Sequence, residues 1–520
     1  MLDPSVTRHA RHGMVSTIDH LATAAGVDLL RRGGSAVDAA IGANAVLSVT
    51  SSHMCGMGGD LWALVHTDDG APPATLDASG RAGSGADPDR ARADGLTAIP
   101  HTGDIRAVTV PGAVDGWLAL HQRFGRLGLD EVFASAIDLA EHGFPVAPLL
   151  AFLAPNVAAV THNELPVAPD VGQLVTRPGS ARALRAIAAR GRAGFYGGEF
   201  GEGLLAAGPD EFAPDDLDHD QARWVEPLSV DAFGHRIWSP PPTSQGYLTL
   251  LGAAIADGLD GGRDAAGTHL LIEAAAQAAH DRPRELFEGA DPARLLDAER
   301  IAERRAAIDP DRAGHVAVPE WHGDTTYLCA IDGDGMGVSL INSNASGFGA
   351  HLIAGSSGIF LHDRGLGFSL ESGHPAEYGP GRRPPHTLSP ALVTRPDGSL
   401  RTVLGSMGGD TQPQYVLQML AASLRHDRDA GRVLGRARWK IAADDDGGGF
   451  DTWRPGHGRE VRVEEHMRPE IVDGLAARGH QVRVAHSSDF GHAHLIEVTE
   501  HGSLAGAADP RALTGAAGGY

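Results

Sequence analysis

The chain of 520 residues has few cysteines and almost no lysine: Cys55, Cys329 and Lys440 are all that it contains of the two types. Two cysteines cannot form a disulfide framework, and so low a count is typical of a reducing compartment. No uninterrupted apolar run reaches the roughly 18 residues of a membrane-spanning helix, and the first residues contain no apolar segment of a secretion signal. We therefore expect a cytoplasmic protein that does not bind membranes.

The chain also lacks an excess of positive charge. Its formal net charge is −23, whereas nucleic acids and anionic membranes are bound through basic patches, so neither is an expected partner. Hydrophobic residues make up 42% and charged residues 21%, an ordinary globular composition. The length predicts two to four domains or one large layered fold.

The common hydrolase and metal motifs are absent as well. There is no G-x-S-x-G, no H-E-x-x-H and no paired C-x-x-C. The segments "GMGGD" and "GSMGGD" lack the strand–helix spacing of a dinucleotide fingerprint. His492 and His494 in "HAH" could bind a metal from one strand face, but no third ligand lies nearby in sequence. The alternative is a packed strand pair, and we expect no metal.

The first part of the chain is predicted to be rich in helices. Residues 16–50 have apolar residues at helical spacing, interrupted by "GG", with Ser35 as the N-cap of a second helix. The glycine-rich turn "GMGGD" leads into a strand, "LWALVH". Further helical patterns cover approximately residues 111–124, 130–142, 180–190, 246–257 and 266–306.

The last 200 residues are predicted to be rich in strands. "TTYLCAID", "GDG" and "GVSLIN" form a β-hairpin pattern, and "PALVTRPDGSLRTVLGS" forms a second around "PDG". A helix, "TQPQYVLQMLAASLRH", follows, and later come the strands "QVRVAH" and "AHLIEVTE". The segment "DDDGGG" at 444–449 is expected to be a solvated loop. The pattern indicates an α+β protein.

Two adjacent threonines, Thr325 and Thr326, follow Asp324 at the start of the first hairpin. A threonine hydroxyl becomes a good nucleophile when its own α-amine takes its proton, which requires the threonine to be a chain terminus. An α-amine titrates at about 7.7–8.0, which suits a base near neutral pH. The chain could therefore be cut between Asp324 and Thr325. Equally, two threonines opening a strand reflect ordinary β-propensity, so the residues alone leave both interpretations open.

The surrounding motifs resemble the γ-glutamyltranspeptidase family of N-terminal-nucleophile (Ntn) hydrolases. The similar segments are "TTYLCAIDGDG", "SGFGAHLIAGSSGIFLHDRG", "GPGRRPPHTLSPAL" and "GSMGGD". The opening "GMVSTIDHLATAAGVDLLRRGGSAVDAAIGANAVLSVTSSHMCGMGGD", the middle "AVTVPGAVDGWLALHQRFG" and the end "GAADPRALTGAAGGY" are similar too. The resemblance therefore covers nearly the whole chain, in order.

The resemblance implies roles for several residues. Thr325 matches the family's nucleophile, and Ser343 stands where a hydroxyl orients that nucleophile. Gly408 and Gly409 match the paired glycines whose N–H groups form the oxyanion hole. The cleavage site is then Asp324–Thr325. Tyr327 stands where many relatives have histidine, and Cys329 is expected in the core. Cys55, in the glycine turn, could approach the site or pack in the core.

The substrate-binding positions depart from the glutamyl-specific pattern. Ala345 replaces an asparagine, Arg364 a glutamine, and Gly367 an aspartate that would hold the substrate ammonium. His386 and Thr387 replace two serines that hold the α-carboxylate, and in "LDASGRAG" Ser79 takes the strict place of the family's arginine, with Arg81 two residues later. Without the aspartate, recognition of a γ-glutamyl group should be poor. Arg364 suggests a carboxylate in the acyl pocket, or alternatively a surface salt bridge.

These departures resemble the branch of cephalosporin acylase-like and oxamate-amidohydrolase-like proteins. The resemblance implies a four-layer αββα Ntn-hydrolase sandwich built jointly by two segments of a self-cleaved proenzyme, 1–324 and 325–520. It implies no metal or organic cofactor, a small-molecule amide with a small carboxylated acyl group as substrate, and association of the two segments, with a dimer of such αβ units possible.

Two alternatives remain. One is hydrolysis of a carbon–carbon bond by the same nucleophile in a biosynthetic pathway. The other is a relative that only binds a ligand.

Overall fold

The computed structural model describes residues 6–161, 164–314, 324–443 and 459–520. The strands in these ranges are β1 (Arg8–Ala10), β2 (Met14–Thr17), β3 (Asp60–His66), β4 (Ala74–Ala78), β5 (Phe144–Pro145), β6 (Leu174–Val175), β7 (Arg223–Val225), β8 (Leu228–Ala232), β9 (His235–Ser239), β10 (Asp324–Ile331), β11 (Gly337–Ala345), β12 (Leu352–Ile353), β13 (Phe360–Leu361), β14 (Ala391–Thr394), β15 (Leu400–Ser406), β16 (Trp439–Ala443), β17 (Arg459–Glu464), β18 (Val482–Ala485), β19 (Ala493–Val498), β20 (Leu504–Ala508) and β21 (Ala516–Gly519).

The α-helices in the same ranges are α1 (His20–Arg31), α2 (Ala36–Thr50), α3 (Pro88–Ala93), α4 (Ala113–Phe124), α5 (Leu129–Val132), α6 (Ala134–His142), α7 (Pro148–Leu153), α8 (Pro178–Arg190), α9 (Arg192–Phe195), α10 (Glu199–Ala207), α11 (Pro214–Asp218), α12 (Gly246–Asp257), α13 (Ala265–Ala279), α14 (Arg282–Glu285), α15 (Pro292–Leu295), α16 (Ala298–Ala306), α17 (Gln412–Arg425), α18 (Ala430–Leu434) and α19 (Pro469–Ala477). None of them is long and apolar enough to cross a membrane.

Most predicted elements are present, with two differences at the level of local structure. Residues 16 and 17 belong to strand β2 rather than to the first helix, because Val15 and Ser16 pair with β10, and α1 begins behind the N-cap Asp19. The region 266–306 is four helices rather than one continuous pattern. Prolines at the first turns of α14 and α15 start new helices there, because proline has no backbone N–H and is tolerated only where a helix begins. The predicted loop 444–449 lies outside the described residues.

Two seven-stranded sheets form the centre of the fold. One has the order β1-β20-β19-β15-β14-β9-β8 and the other the order β21-β2-β10-β11-β3-β4-β7. Every neighbouring pair in both sheets is antiparallel. This confirms an α+β fold with antiparallel sheets. Each of these two sheets contains strands from both sides of Asp324, so neither half of the sequence forms either of them by itself.

Three clusters of buried side chains hold these layers together. One lies between the two sheets and joins Trp62 and Tyr327 of one sheet to Leu392 and Ile496 of the other. A second packs helices α1, α2, α4 and α6 against the sheet that contains β10. A third packs α12, α13, α17 and α19 against the sheet that contains β15.

The packing places the predicted nucleophile at a strand end inside the molecule. Strand β10 is central in its sheet, between β2 and β11, and begins with Asp324. Thr325 is 1% exposed at this position. The groups that surround Thr325 are therefore held in place by the packed sheets.

Candidate active site

The hydroxyl groups of Thr325 and Ser343 lie 2.9 Å apart, across the β10–β11 ladder. The Ser343 oxygen also accepts from the backbone N–H of Ala345 at 2.8 Å and from Nη2 of Arg364 at 3.2 Å. Either hydroxyl can be the donor in the bond between Thr325 and Ser343. Ser343 therefore connects the Thr325 hydroxyl to the guanidinium of Arg364.

The ladder is irregular at the predicted cleavage site. Asp324 pairs with Ala345 and Thr326 with Asn342, so two residues of β11 lie opposite Thr325 alone. Ala345 has a φ of 74°, which is unusual for a residue with a side chain. Bulges and such conformations concentrate beside active sites, where they redirect side chains. Here the irregularity turns Ser343 toward Thr325.

Gly408 and Gly409 form a turn between β15 and α17 with two unused N–H groups. Their φ angles are 140° and 55°, both in the region that favours glycine. Within the described chain neither backbone N–H donates to an acceptor. A Cβ at residue 408 would lie 2.7 Å from Cε2 of Tyr415, so a side chain cannot be added without moving the turn. Two adjacent, unused N–H groups are what an oxyanion hole requires.

Gln245, which the sequence did not indicate as a site residue, links this turn to the nucleophile. Its Nε2 donates to the carbonyl oxygens of Thr387 and Gly409, at 2.9 Å each. Thr387 Oγ1 in turn accepts from Nη1 of Arg364 at 2.9 Å, and Arg364 donates to Ser343. A continuous set of contacts through Gln245, Thr387, Arg364 and Ser343 therefore connects the Gly408–Gly409 turn to the Thr325 hydroxyl.

Arg364 is completely buried and is not part of a surface salt bridge. Burial lowers the pKa of its guanidinium to about 10, although the carboxylates of Asp60, Asp363 and Asp410 oppose the shift. The group is thus still charged at neutral pH, one hydroxyl away from the nucleophile. Burial raises the pKa of Asp363 to about 6, against the effect of its hydrogen bond from Ser346.

His386 is held by Asp60, the last residue of the "GMGGD" turn. Its Nε2 lies 3.1 Å from Asp60 Oδ2, and its Nδ1 accepts from the N–H of Leu388 at 3.3 Å, so both ring nitrogens have protein partners. Burial, followed by the charge of Arg364, lowers the pKa of His386 to about 4, so the ring is neutral. Burial alone would raise the pKa of Asp60, but His362, His386 and Arg364 hold it at about 2.

Asp60 also organises the loop that carries Arg81. Its Oδ1 accepts from the backbone N–H groups of Gly80, at 3.0 Å, and Gly112, at 3.2 Å. Arg81 is half-buried, and its guanidinium has no hydrogen-bond or ion-pair partner in the described ranges. Ser79, at the strict family position, instead donates to Asp77 at 2.5 Å. Arg81 is therefore a cation that could receive an anionic group.

Gly367 is closed to a side chain. A Cβ at this position would lie 2.5 Å from the carbonyl oxygen of Pro385, closer than atoms can approach without moving the backbone. The aspartate that would hold a substrate ammonium in glutamyl-specific relatives could not occupy this position in the present backbone.

The remaining predicted residues lie in or near the core. Cys329 is buried, and Tyr327 donates to or accepts from Ser339 at 2.9 Å. Burial raises the pKa of the Cys55 thiol to about 12, against a hydrogen bond with Thr326, which disfavours a reactive thiolate. His494 lies in β19, 3.3 Å from Ser16 Oγ, and among the described residues no third metal-binding group joins it and His492.

Comparison with known proteins agrees with this arrangement. A sequence profile of the family described as Gamma-glutamyltranspeptidase matches residues 22–519. The Glutathione hydrolase-like YwrD proenzyme of Bacillus subtilis (strain 168) is 33% identical over 96% of this chain and 97% of its own length. The Oxamate amidohydrolase proenzyme of Klebsiella pneumoniae is 33% identical over 98% of both chains. The crystal structure of cephalosporin acylase from Bacillus halodurans superposes with a TM-score of 0.90 and 32% identity, covering 100% of this chain and 99% of its own. The chain therefore belongs to the gamma-glutamyltranspeptidase family and is an enzyme related to its amidohydrolases and acylases.

Proposed function

We propose that the chain is a self-processing N-terminal-threonine amidohydrolase that acts on a small amide whose acyl group has an anionic end. The observation that carries this proposal is the buried Thr325–Ser343 hydroxyl pair at 2.9 Å, directly after the predicted cleavage site. The two unused N–H groups of Gly408 and Gly409 support it. The layers and family resemblance support a four-layer αββα Ntn-hydrolase sandwich.

Processing begins with the precursor's own peptide bond. The Thr325 hydroxyl attacks the Asp324 carbonyl carbon, the C–N bond breaks, and the acyl group passes to the threonine oxygen. The threonine nitrogen takes a proton and becomes a free α-amine. Water then hydrolyses the ester to a carboxylate and the hydroxyl, which yields segments 1–324 and 325–520.

Turnover repeats the chemistry on a substrate. The α-amine takes the proton of Thr325 Oγ1 as the oxygen attacks the amide carbonyl, and the hydrogen bond from Ser343 stabilises the charge on the nucleophile. The oxyanion binds the N–H groups of Gly408 and Gly409, which adds no reorganisation cost since they are already placed. The amine leaves with a proton, and water hydrolyses the acyl-enzyme. A second amine in place of water would give acyl transfer.

The acyl group is expected to be anionic and to lack an ammonium. Arg81 supplies a cation without an internal partner, and Thr387 retains a hydroxyl hydrogen because its oxygen accepts from Arg364. Gly367 has no room for a side chain that would bind an ammonium. The Klebsiella relative is named an oxamate amidohydrolase, which is consistent with a small anionic acyl group.

The amine half of the substrate is expected in a cavity of approximately 420 Å³ that is lined by Gly408 and by His53. Among the described residues neither ring nitrogen of His53 has a hydrogen-bond partner, and burial lowers the pKa of His53 to about 3, so the ring is a neutral polar group. For a series of amides that share one acyl group and differ in the amine, replacing His53 by leucine should change the order of their kcat/KM values. An unchanged order would exclude His53 from binding the leaving group.

The first experiment is intact mass under denaturing conditions on the wild type and on Thr325→Ala. We expect two wild-type fragments divided between Asp324 and Thr325, and one uncut variant chain. A wild-type chain that stays whole after long incubation would refute the proposal.

Substrate class is tested with pairs of amides that differ only in whether the acyl end is a carboxylate or its methyl ester, together with γ-glutamyl amides. β-Dicarbonyl substrates test the carbon–carbon alternative. We expect the carboxylates to be preferred, and Arg81→Met to raise KM for them without changing KM for the esters. Preference for the esters, or turnover confined to β-dicarbonyls, would contradict the assignment.

A further inference from the structure

A second cluster of chemically capable side chains lies on the helices behind the sheet that contains β15. His269 and Glu273 are four residues apart on α13, and thus on one face of the helix. His480 reaches them from the turn between α19 and β18. Their exposed fractions are 0%, 1% and 7%, and one nitrogen or oxygen from each lies within 4.8 Å of the others. Three such groups converging in the interior need a physical reason.

The hydrogen bonds of His269 show which of its two ring nitrogens carries hydrogen and which has a lone pair directed at the cluster. Its Nε2 lies 2.9 Å from the carbonyl oxygen of Asp309, which can only accept, so Nε2 carries hydrogen. Its Nδ1 is therefore an acceptor, and it faces Nε2 of His480 at 2.7 Å. A histidine whose outer N–H is fixed by a carbonyl while its other nitrogen points inward has the arrangement common to metal-binding histidines.

We propose that His269 Nδ1, His480 Nε2 and the Glu273 carboxylate bind a divalent transition-metal ion of the zinc type. Two imidazoles and one carboxylate suit zinc, copper or nickel, whereas calcium and magnesium favour oxygen ligands alone. Water can provide a fourth ligand. On binding, the hydrogen leaves Nε2 of His480 and the ring takes the neutral tautomer with hydrogen on Nδ1, so that Nε2 has a lone pair for the ion.

The geometry requires side-chain movements of about 1.5 Å or less. Metal–nitrogen bonds of about 2.0–2.1 Å in a tetrahedron place neighbouring ligand atoms about 3.3 Å apart. The two histidine nitrogens, now 2.7 Å apart, would separate by about 0.6 Å, and Glu273 Oε1, now 3.9 Å from His480 Nε2, would approach it by a similar distance. His269 Nδ1 and the Glu273 carboxylate lie within 4.8 Å of each other and would approach by at most about 1.5 Å. Side-chain rotation can supply these movements.

Such an ion would have a structural role. It would join α13 to the turn after α19, and through the Asp309 carbonyl to residues 309–314, which lead toward Asp324 in the sequence. The backbone N–H of Ala313 already donates to the carbonyl oxygen of Arg478, near His480, at 2.8 Å. Metal binding should therefore stabilise the folded protein rather than take part in the threonine chemistry.

The test uses full-length protein stripped of metal by a chelator and titrated with Zn²⁺ against a chromophoric competitor. Co²⁺ in a parallel titration reports tetrahedral coordination through its visible absorption. We expect one bound equivalent in the wild type and its loss in Glu273→Gln and His480→Gln. Zn²⁺ should raise Tm in the wild type and in neither variant. The control is His142→Ala, which removes an exposed histidine 3.0 Å from Asp138 and should retain the bound equivalent.

Equal zinc binding by the wild type and both glutamine variants would overturn the proposal, since the ion would then be bound elsewhere. Absence of binding by the wild type would overturn it as well, independently of how the variants fold. Glu273→Gln changes the carboxylate to a group of the same shape, so its metal-free Tm should stay close to that of the wild type.

Discussion

The hydrogen bond from Arg364 to Ser343 predicts that Arg364 acts on the nucleophile rather than on the substrate. The distances of 3.2 Å from Nη2 to Ser343 Oγ and 2.9 Å from there to Thr325 Oγ1 place the cation at most about 6 Å from the nucleophile. At an effective dielectric constant of about 20, a full charge on the threonine oxygen is then stabilised by about 3 kcal/mol. If half of that charge has developed in the transition state, Arg364 lowers the activation free energy by about 1.5 kcal/mol, which corresponds to approximately tenfold in rate.

Replacing Arg364 by glutamine should therefore lower kcat by about 10- to 100-fold, the upper value including the loss of the charge-assisted hydrogen bond to Ser343. KM should change little. The reduction should be equal for anionic and neutral acyl substrates, and self-cleavage of the precursor, which involves no substrate, should slow by a similar factor. Arg364→Lys keeps the charge and should retain more activity than the glutamine variant.

The assay is steady-state hydrolysis of a carboxylated amide and its methyl ester, with the rate of precursor cleavage followed by intact mass. Arg81→Gln is the matched control, because it should raise KM for the carboxylate and leave self-cleavage unchanged. Tm of each variant checks the fold. A rise in KM confined to the carboxylate, with normal self-cleavage, in Arg364→Gln would refute the reasoning and place Arg364 against the substrate, as the sequence suggested.

Three further predictions concern the surroundings of the nucleophile. Gln245→Leu removes both hydrogen bonds that hold the oxyanion turn to Thr387 and should lower kcat by about tenfold with little change in KM; an unchanged kcat would mean that the turn needs no such support. Gly408→Ala should lower kcat by at least about 100-fold because its Cβ would meet Tyr415, whereas Gly379→Ala, with 3.5 Å to its nearest neighbour, should be nearly silent. Asp60 has a pKa of about 2 in the folded protein, below its usual value, so the ionised carboxylate stabilises the fold above about pH 4 and this stabilisation is lost as the pH falls toward 2. In the uncut Thr325→Ala background, Asp60→Asn should therefore lower Tm at pH 7 and have a smaller effect near pH 3. An equal effect at both pH values would mean that the charge of Asp60 does not provide the stabilisation.

The local features of the site could be predicted from the sequence. The hairpin of β10 and β11 follows from two apolar runs separated by "GDG", because strand pairing between neighbouring segments needs only a short turn. Ser343 opposite Thr325 follows from the family resemblance together with this pairing. The roles assigned to Thr325, Ser343, Gly408 and Gly409 stay predictions until processing and turnover are measured.

The distant connections could not be predicted. Gln245 is separated from Thr387 by 142 residues and from Gly409 by 164, and nothing in "TSQGYL" distinguishes it from an ordinary residue before a helix. Asp60 likewise contacts His386 over 326 residues, and the turn "GMGGD" that ends with Asp60 predicts the strand after it but no distant histidine. The pairing of His269 with His480 spans 211 residues, which no short metal motif covers. In each case the contact depends on how the two sheets and their helices pack.

The interleaving of strands explains how a chain cut before Thr325 can remain one protein. Strand β10 would become an N-terminal strand, yet it stays hydrogen-bonded to β2 on one side and to β11 on the other. Strand β11 pairs in turn with β3. The two strands after the cut, β10 and β11, therefore lie between two strands that come before it, β2 and β3. In the other sheet β14 pairs with β9, again across the two segments. Separating the segments would leave buried N–H and C=O groups in both sheets without partners, at a cost of about 1–3 kcal/mol each. Cleavage before Thr325 would therefore release an α-amine at the centre of the fold without releasing either segment.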